Sequence, residues 1–238
     1  MKKLNIIYLL IFLFLLSCKN VLENVLKNEC NDLIYKSKKV DNKDRYNDLS
    51  NQLEKKINRL DKTGVFITYG QSNSINASEL GYNVKNNVLM FYDNKTYRYN
   101  DPSLGGALNS GKNGSVWGMV GDKLINNNSF EEVVFSMNGW GSTTIKDLSQ
   151  DSLYNYFKNN YYKLLTKFDK VDGILFHQGE SNHFHKQGNN CYYENFNFFY
   201  NKLKLDNINS KFYLSMTSYC GKVYSIDTEL LKIQDKII

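Results

Sequence analysis

Hydrophobic residues in this chain gather into short runs separated by helical patterns. Residues 65–69, Val-Phe-Ile-Thr-Tyr, are β-branched or aromatic throughout and stop at Gly70, which predicts a strand. Runs at 88–92, 133–137, 173–176 and 212–216 predict four more, and the stretches 116–125, 153–168 and 192–205 between them predict helices. Strands alternating with helices of this length predict βαβ units and a parallel sheet covered on both faces. Residues 82–114, with Asp101-Pro102 and several glycines, read as an elaborated loop. Upstream, Leu49, Leu53, Ile57 and Leu60 recur at helical spacing in a Lys-, Asn-, Asp- and Glu-rich stretch, which predicts a polar tether and surface helix over 18–63. The domain then opens at 64 and extends to 238.

The first residues carry a different signal. Met1-Lys2-Lys3 precedes an apolar run over 4–16 that is too short for a transmembrane helix of about 20 residues, and it predicts a secretory signal over 1–17. Leu15-Leu16-Ser17-Cys18 resembles the bacterial lipobox, which implies cleavage before Cys18 and lipid on its thiol. An uncleaved anchor or an ordinary signal peptide is the alternative. Each reading predicts an exported protein at a membrane surface, and the lipobox predicts a cell-envelope lipoprotein. Cys30, Cys191 and Cys220 remain, and in an oxidising compartment Cys191 and Cys220 could pair.

Composition narrows the class. The 238 residues suit one domain with extensions, and 42% hydrophobic with 23% charged residues excludes wholesale disorder. The net charge of +6 includes Lys2 and Lys3 of the signal and lacks a dense basic stripe, so no nucleic-acid partner is expected.

Ligands of open α/β sheets bind outside the carboxyl ends of strands. Gly70-Gln71-Ser72-Asn73-Ser74 follows the first strand. A serine on such a turn can be aimed at a carbonyl, with the following amides stabilising an oxyanion, although a Gly-Ser-Asn turn also serves as a plain helix cap. His177-Gln178-Gly179-Glu180-Ser181-Asn182 follows another strand. Gln178 offers an amide donor for developing negative charge, and alternation then points His177 elsewhere. Asn138-Gly139-Trp140-Gly141-Ser142-Thr143 follows a third, where glycines permit close backbone approach.

Together these blocks resemble the SGNH hydrolase superfamily, in its sialate O-acetylesterase and acetylxylan esterase branch, over residues 64–238. The resemblance implies a three-layer α/β/α sandwich with a mainly parallel, flavodoxin-like sheet. It implies hydrolysis of an acetyl ester on a carbohydrate, with Ser72 as nucleophile and Gly141 N–H (or Gly139) and the Gln178 side chain at the oxyanion. Gln71, Asn73 and Glu180 would line the substrate, and neither metal nor organic cofactor is implied. The family takes its base from a late Asp-x-x-His block that this sequence does not contain; the expectation is a domain lacking its last strand and loop. His183 or His185 could substitute in a rearranged dyad, with Glu180-Ser181-Asn182-His183 giving a Glu-x-x-His spacing. A metal set of His177, His183, His185 and Cys191 fits no standard zinc spacing. The competing function is a glycan-binding lipoprotein that keeps the esterase fold without turnover, using Trp117, Trp140 and tyrosines as stacking surfaces.

Overall fold

The computed structural model describes residues 41–107, 113–185, 189–217 and 226–237, all within the unit Ser37–Ile238. Six strands form one sheet: β1 Thr63–Gly70, β2 Val88–Tyr92, β3 Lys95–Arg98, β4 Glu132–Met137, β5 Gly173–His177 and β6 Phe212–Ser215, in the order β3-β2-β4-β1-β5-β6. Neighbours are parallel except in the β2–β3 hairpin. β2 falls on the run predicted as a strand, whereas β3 lies in the stretch read as loop. The hairpin's central residues, Asp93 and Asn94, have φ of 47° and 61°, the left-handed pair that a two-residue type I′ connection requires and that Asx residues tolerate.

The helices are α1 Trp117–Asn126, α2 Ile145–Leu148, α3 Asp151–Phe168, α4 Glu180–Phe184, α5 Asn189–Leu205 and α6 Thr228–Ile237. Every residue of central β1 is buried, so its alternating side chains feed two cores. Val65, Ile67 and Tyr69 join Phe157 and Leu164 of α3, Tyr192 and Phe199 of α5 and Leu230 of α6. Phe66 joins Val88, Met90, Phe135 and Trp117 of α1 on the opposite face. Tyr69 stacks on Phe157 at 4.5 Å and Phe176 on Phe199 at 5.2 Å. The result is the expected α/β/α sandwich.

The surface helix expected over 49–60 does not form. The segment runs extended beside β3, where Lys55 N donates to Thr96 O at 2.9 Å and Arg98 N to Leu53 O at 2.8 Å. Leu49, Leu53 and Leu60 are exposed and only Ile57 packs on the core. An edge strand presents unpaired backbone groups, and an extended neighbour satisfies them where a helix would not. Residues 41–62 are therefore a strap on the domain. The predicted signal, Cys18, Cys30 and Cys220 lie outside the described residues. Cys191 is disulfide-bonded, and its partner is outside them too. No helix among the described residues is long and apolar enough to cross a membrane.

Candidate active site

From β1 the chain goes first to β2, β3 and β4 on one side of the sheet and then to β5 and β6 on the other. Such a switch opens a crevice at the carboxyl end of β1. Gly70 ends β1 with φ of 137°, and a Cβ there would lie 2.0 Å from His177 O, so only glycine lets β1 and β5 approach this closely. The 3-10 turn Ser72–Ser74 follows. It is tied down by Ser74 N and Oγ donating to Gln71 O at 2.9 and 2.6 Å and by Trp117 Nε1 donating to Ser74 O at 2.9 Å. Ser72 opens the turn, half-buried, and its hydroxyl is not hydrogen-bonded to any described residue.

The residues around Ser72 converge from three strand ends. Gln71 is buried, and its Oε1 accepts from Gly179 N at 3.1 Å and Ser181 N at 2.9 Å, satisfying amides at the start of α4. Asn73 Nδ2 donates to Glu180 Oε1 at 3.0 Å, and His177 Nε2 meets the same oxygen at 3.0 Å. His177 thus does not point away, as strand alternation predicted: beyond β5 the backbone turns into α4 and brings Glu180 back over it. Glu180 is buried, so this carboxylate is shared by two donors beside the nucleophile turn.

The loop after β4 is packed against that turn. A Cβ on Gly139 would fall 2.1 Å from Ser74 Oγ and 3.0 Å from Gly70 O, and Trp140 N donates to Gly70 O at 2.9 Å. Gly141 is buried two residues further on, beside Ser142 with φ of 57°. Thr144 then caps α2 through a reciprocal pair with Asp147.

Gln178 departs from its expected posture. It is fully buried, with Nε2 donating to Thr143 O at 3.2 Å and Asn182 Oδ1 at 2.5 Å. Asn182 Oδ1 also accepts from Ile145 N at 3.0 Å, which fixes the amide orientation. One Nε2 hydrogen thereby braces the Gly141 loop directly, and the other reaches it through Asn182 of α4. The Gln178 carbonyl is held in turn by Gln234 Nε2 at 2.8 Å and Tyr192 Oη at 3.2 Å. Nothing local marked Tyr192 or Gln234, because an isolated polar residue on an amphipathic helix looks the same whether it is buried or solvated.

None of the three histidines is hydrogen-bonded to Ser72, but His183 has a partner. Its Nδ1 lies 2.8 Å from Asp227 Oδ2, with the two side chains 33% and 19% exposed. Asp227 caps α6, accepting from Leu230 N at 2.9 Å. Burial pushes its carboxyl up, but the Leu230 amide, His183 and the Glu229 amide outweigh that and hold it below the ordinary value. With Nδ1 donating to a carboxylate, Nε2 carries the imidazole's acceptor lone pair. Asp227 escaped the sequence reading because it stands 44 residues from His183; its visible signal was an Asp preceding Thr228-Glu229 at a helix start. The four-residue metal set is not assembled: His177 and His183 go to separate carboxylates and Cys191 is in a disulfide. Among the described residues no group of three or more His, Cys, Asp or Glu could hold a metal ion.

Comparison with known proteins bears on the fold and the family. A solved structure from Arabidopsis thaliana superposes with TM-score 0.57 at 13% identity, covering 73% of this chain and 80% of that one, which shows the shared fold. A carbohydrate acetylesterase from Xanthomonas citri aligns at TM-score 0.44 and 16% identity, over 73% of this chain and 46% of that one. No curated protein matches in sequence. The family model for carbohydrate esterases, sialic acid-specific acetylesterases, matches residues 62–219, more than half of the chain and all three strand-end blocks. This chain belongs to that carbohydrate acetylesterase family.

Proposed function

We propose that the chain is a serine esterase that removes O-acetyl groups from a glycan or sialic acid, with Ser72 as nucleophile. The observation that carries this reading is the convergence of the Ser72 turn, the Gly139–Gly141 loop and Gln178 at the ends of β1, β4 and β5. Ser72 Oγ attacks the acetyl carbonyl, the sugar oxygen leaves with a proton, and water then releases acetate and restores the serine. The Ser72 and Gly141 amides stabilise the oxyanion, and Gln178 holds the loop that carries Gly141. Gln71, Asn73 and Glu180 form the floor on which the sugar is placed. His183 is the candidate for taking the serine proton, because Asp227 orients its ring with Nε2 as acceptor.

Acetate release from acetylated sugars and an aryl acetate tests the proposal. Ser72→Ala is expected to lower kcat by at least about 1000-fold, and equal rates would remove Ser72 from the mechanism. His183→Ala is expected to lose about 100-fold or more in kcat; an unchanged rate would place the base elsewhere. The second reading, a glycan-binding protein without turnover, is favoured by the absence of a hydrogen bond between Ser72 and any described histidine. Saturable glycan binding with no acetate release would support it. We place the protein outside the cytoplasm, tethered by lipid on Cys18, a reading that the disulfide at Cys191 supports. Labelled palmitate incorporated into wild type and equally into Cys18→Ala would exclude it.

A further inference from the structure

Arg45 comes from the strap, ahead of the family-matched residues 62–219, yet it is 3% exposed. Antiparallel pairing with the loop after β3 carries it inward: Arg45 bridges Ala107, Tyr46 N donates to Gly106 O at 2.9 Å and Gly105 N to Tyr46 O at 2.8 Å. Its guanidinium lies 3.7 Å from the Tyr156 ring centroid and 5.1 Å from that of Trp140. Nη1 reaches three carbonyls, Gly105 O at 2.9 Å, Asn138 O at 3.2 Å and Gly139 O at 3.0 Å. Burial lowers its pKa to about 10, against the raising influence of Tyr156, Tyr69 and Tyr92, so the side chain stays charged at neutral pH.

Two of those carbonyls root the loop that leads to Gly141. A trans peptide points its N–H opposite its C=O, so a carbonyl turned onto Arg45 turns its amide toward the other side. The Gly139–Trp140 peptide does this: its oxygen is on Arg45 and its N–H on Gly70 O. The Asn138–Gly139 peptide likewise has its oxygen on Arg45, which directs Gly139 N–H away from the guanidinium. We propose that Arg45 is a positioning residue for the esterase site: by gripping Asn138 O and Gly139 O it fixes the loop whose amides face the nucleophile turn. The strap is then part of the reaction centre's frame, acting through the loop and never on the substrate. The inference rests on the esterase reading of Ser72.

The test compares Arg45→Met, which fills space without donors, with Arg45→Lys, which keeps a charge and three donors. With an aryl acetate, Arg45→Met is expected to lose about 100-fold in kcat at unchanged KM, the effect of a misplaced catalytic frame. Arg45→Lys keeps a charged donor for the carbonyls but loses the planar stack on Tyr156, so it is expected to fall between wild type and Arg45→Met, losing about 10-fold. Amide hydrogen exchange over 138–144 is expected to quicken about 10-fold or more in Arg45→Met and less in Arg45→Lys. A Met variant that turns over like wild type, or one that loses stability with kcat intact, overturns the inference while Ser72-dependent hydrolysis keeps the esterase reading standing. Wild type without turnover, or with turnover that survives Ser72→Ala, overturns the esterase reading instead. In that case the positioning role assigned to Arg45 falls as well, and exchange still reports whether Arg45 holds the loop.

Discussion

Two regions at the carboxyl end of the sheet are built differently. At the ends of β4, β1 and β5 the packing leaves no room for a side chain: a Cβ on Gly70 would lie 2.0 Å from His177 O, one on Gly139 2.1 Å from Ser74 Oγ and one on Gly179 1.8 Å from Thr217 Cγ2, and Gln71 and Gln178 are buried among amides and carbonyls they satisfy. Toward the β6 edge, His183 and Asp227 join α4 to α6 through one partly exposed hydrogen bond, and Tyr213 of β6 is 48% exposed. Under the proposed mechanism the packed region holds the oxyanion donors and the edge region supplies the base, which must be able to reorient and meet water. Substitutions in the packed region are therefore expected to cost more stability than those at the edge.

That contrast can be broken at several points. Gly70→Ala should destabilise the domain by about 4 kcal/mol, because it combines a left-handed φ with a backbone clash. Chemical denaturation measures this, and a loss below about 1 kcal/mol would mean the strands can move apart. Gln71→Ala leaves the Gly179 and Ser181 amides without their acceptor and should cost about 3 kcal/mol by the same measurement.

Asp227→Ala, on the edge, should cost only about 1 kcal/mol at neutral pH, the value of a helix cap. The folded-state pKa of Asp227 lies below its ordinary 3.8, so its ionic contribution is present above about pH 4 and fades as pH falls through the folded value. The gap between wild type and variant should narrow on acidification, and a gap that widens would contradict the assignment. Glu54→Gln removes an ion pair to Lys95 whose partners are 55% and 54% exposed and should shift stability by less than about 0.5 kcal/mol. A larger shift would show that charge, and not backbone pairing and Arg45, holds the strap.

Much of the frame was legible in the chain. The run at 88–92 is β2 without change, and 133–137 is β4 less one residue, because a strand buried on both faces must be hydrophobic along its length. The β3 hairpin was missed, though its Asp93-Asn94 pair was visible as a turn signal. The leucines at 49, 53 and 60 misled, since helical spacing cannot register that an unpaired sheet edge lies alongside.

Local pattern was enough to locate where strands stop and which of those stops carry serine, glycine or glutamine, and so the α/β class and the esterase family. Those are local facts, encoded by periodicity and by turn chemistry within a few residues. Tertiary structure decided that Gln178 braces Thr143, that Arg45 grips Asn138 and Gly139 across 93 and 94 residues, and that His183 meets Asp227. Hydrogen bonds between distant residues depend on which chain ends the sheet order brings together, and no local pattern records that order.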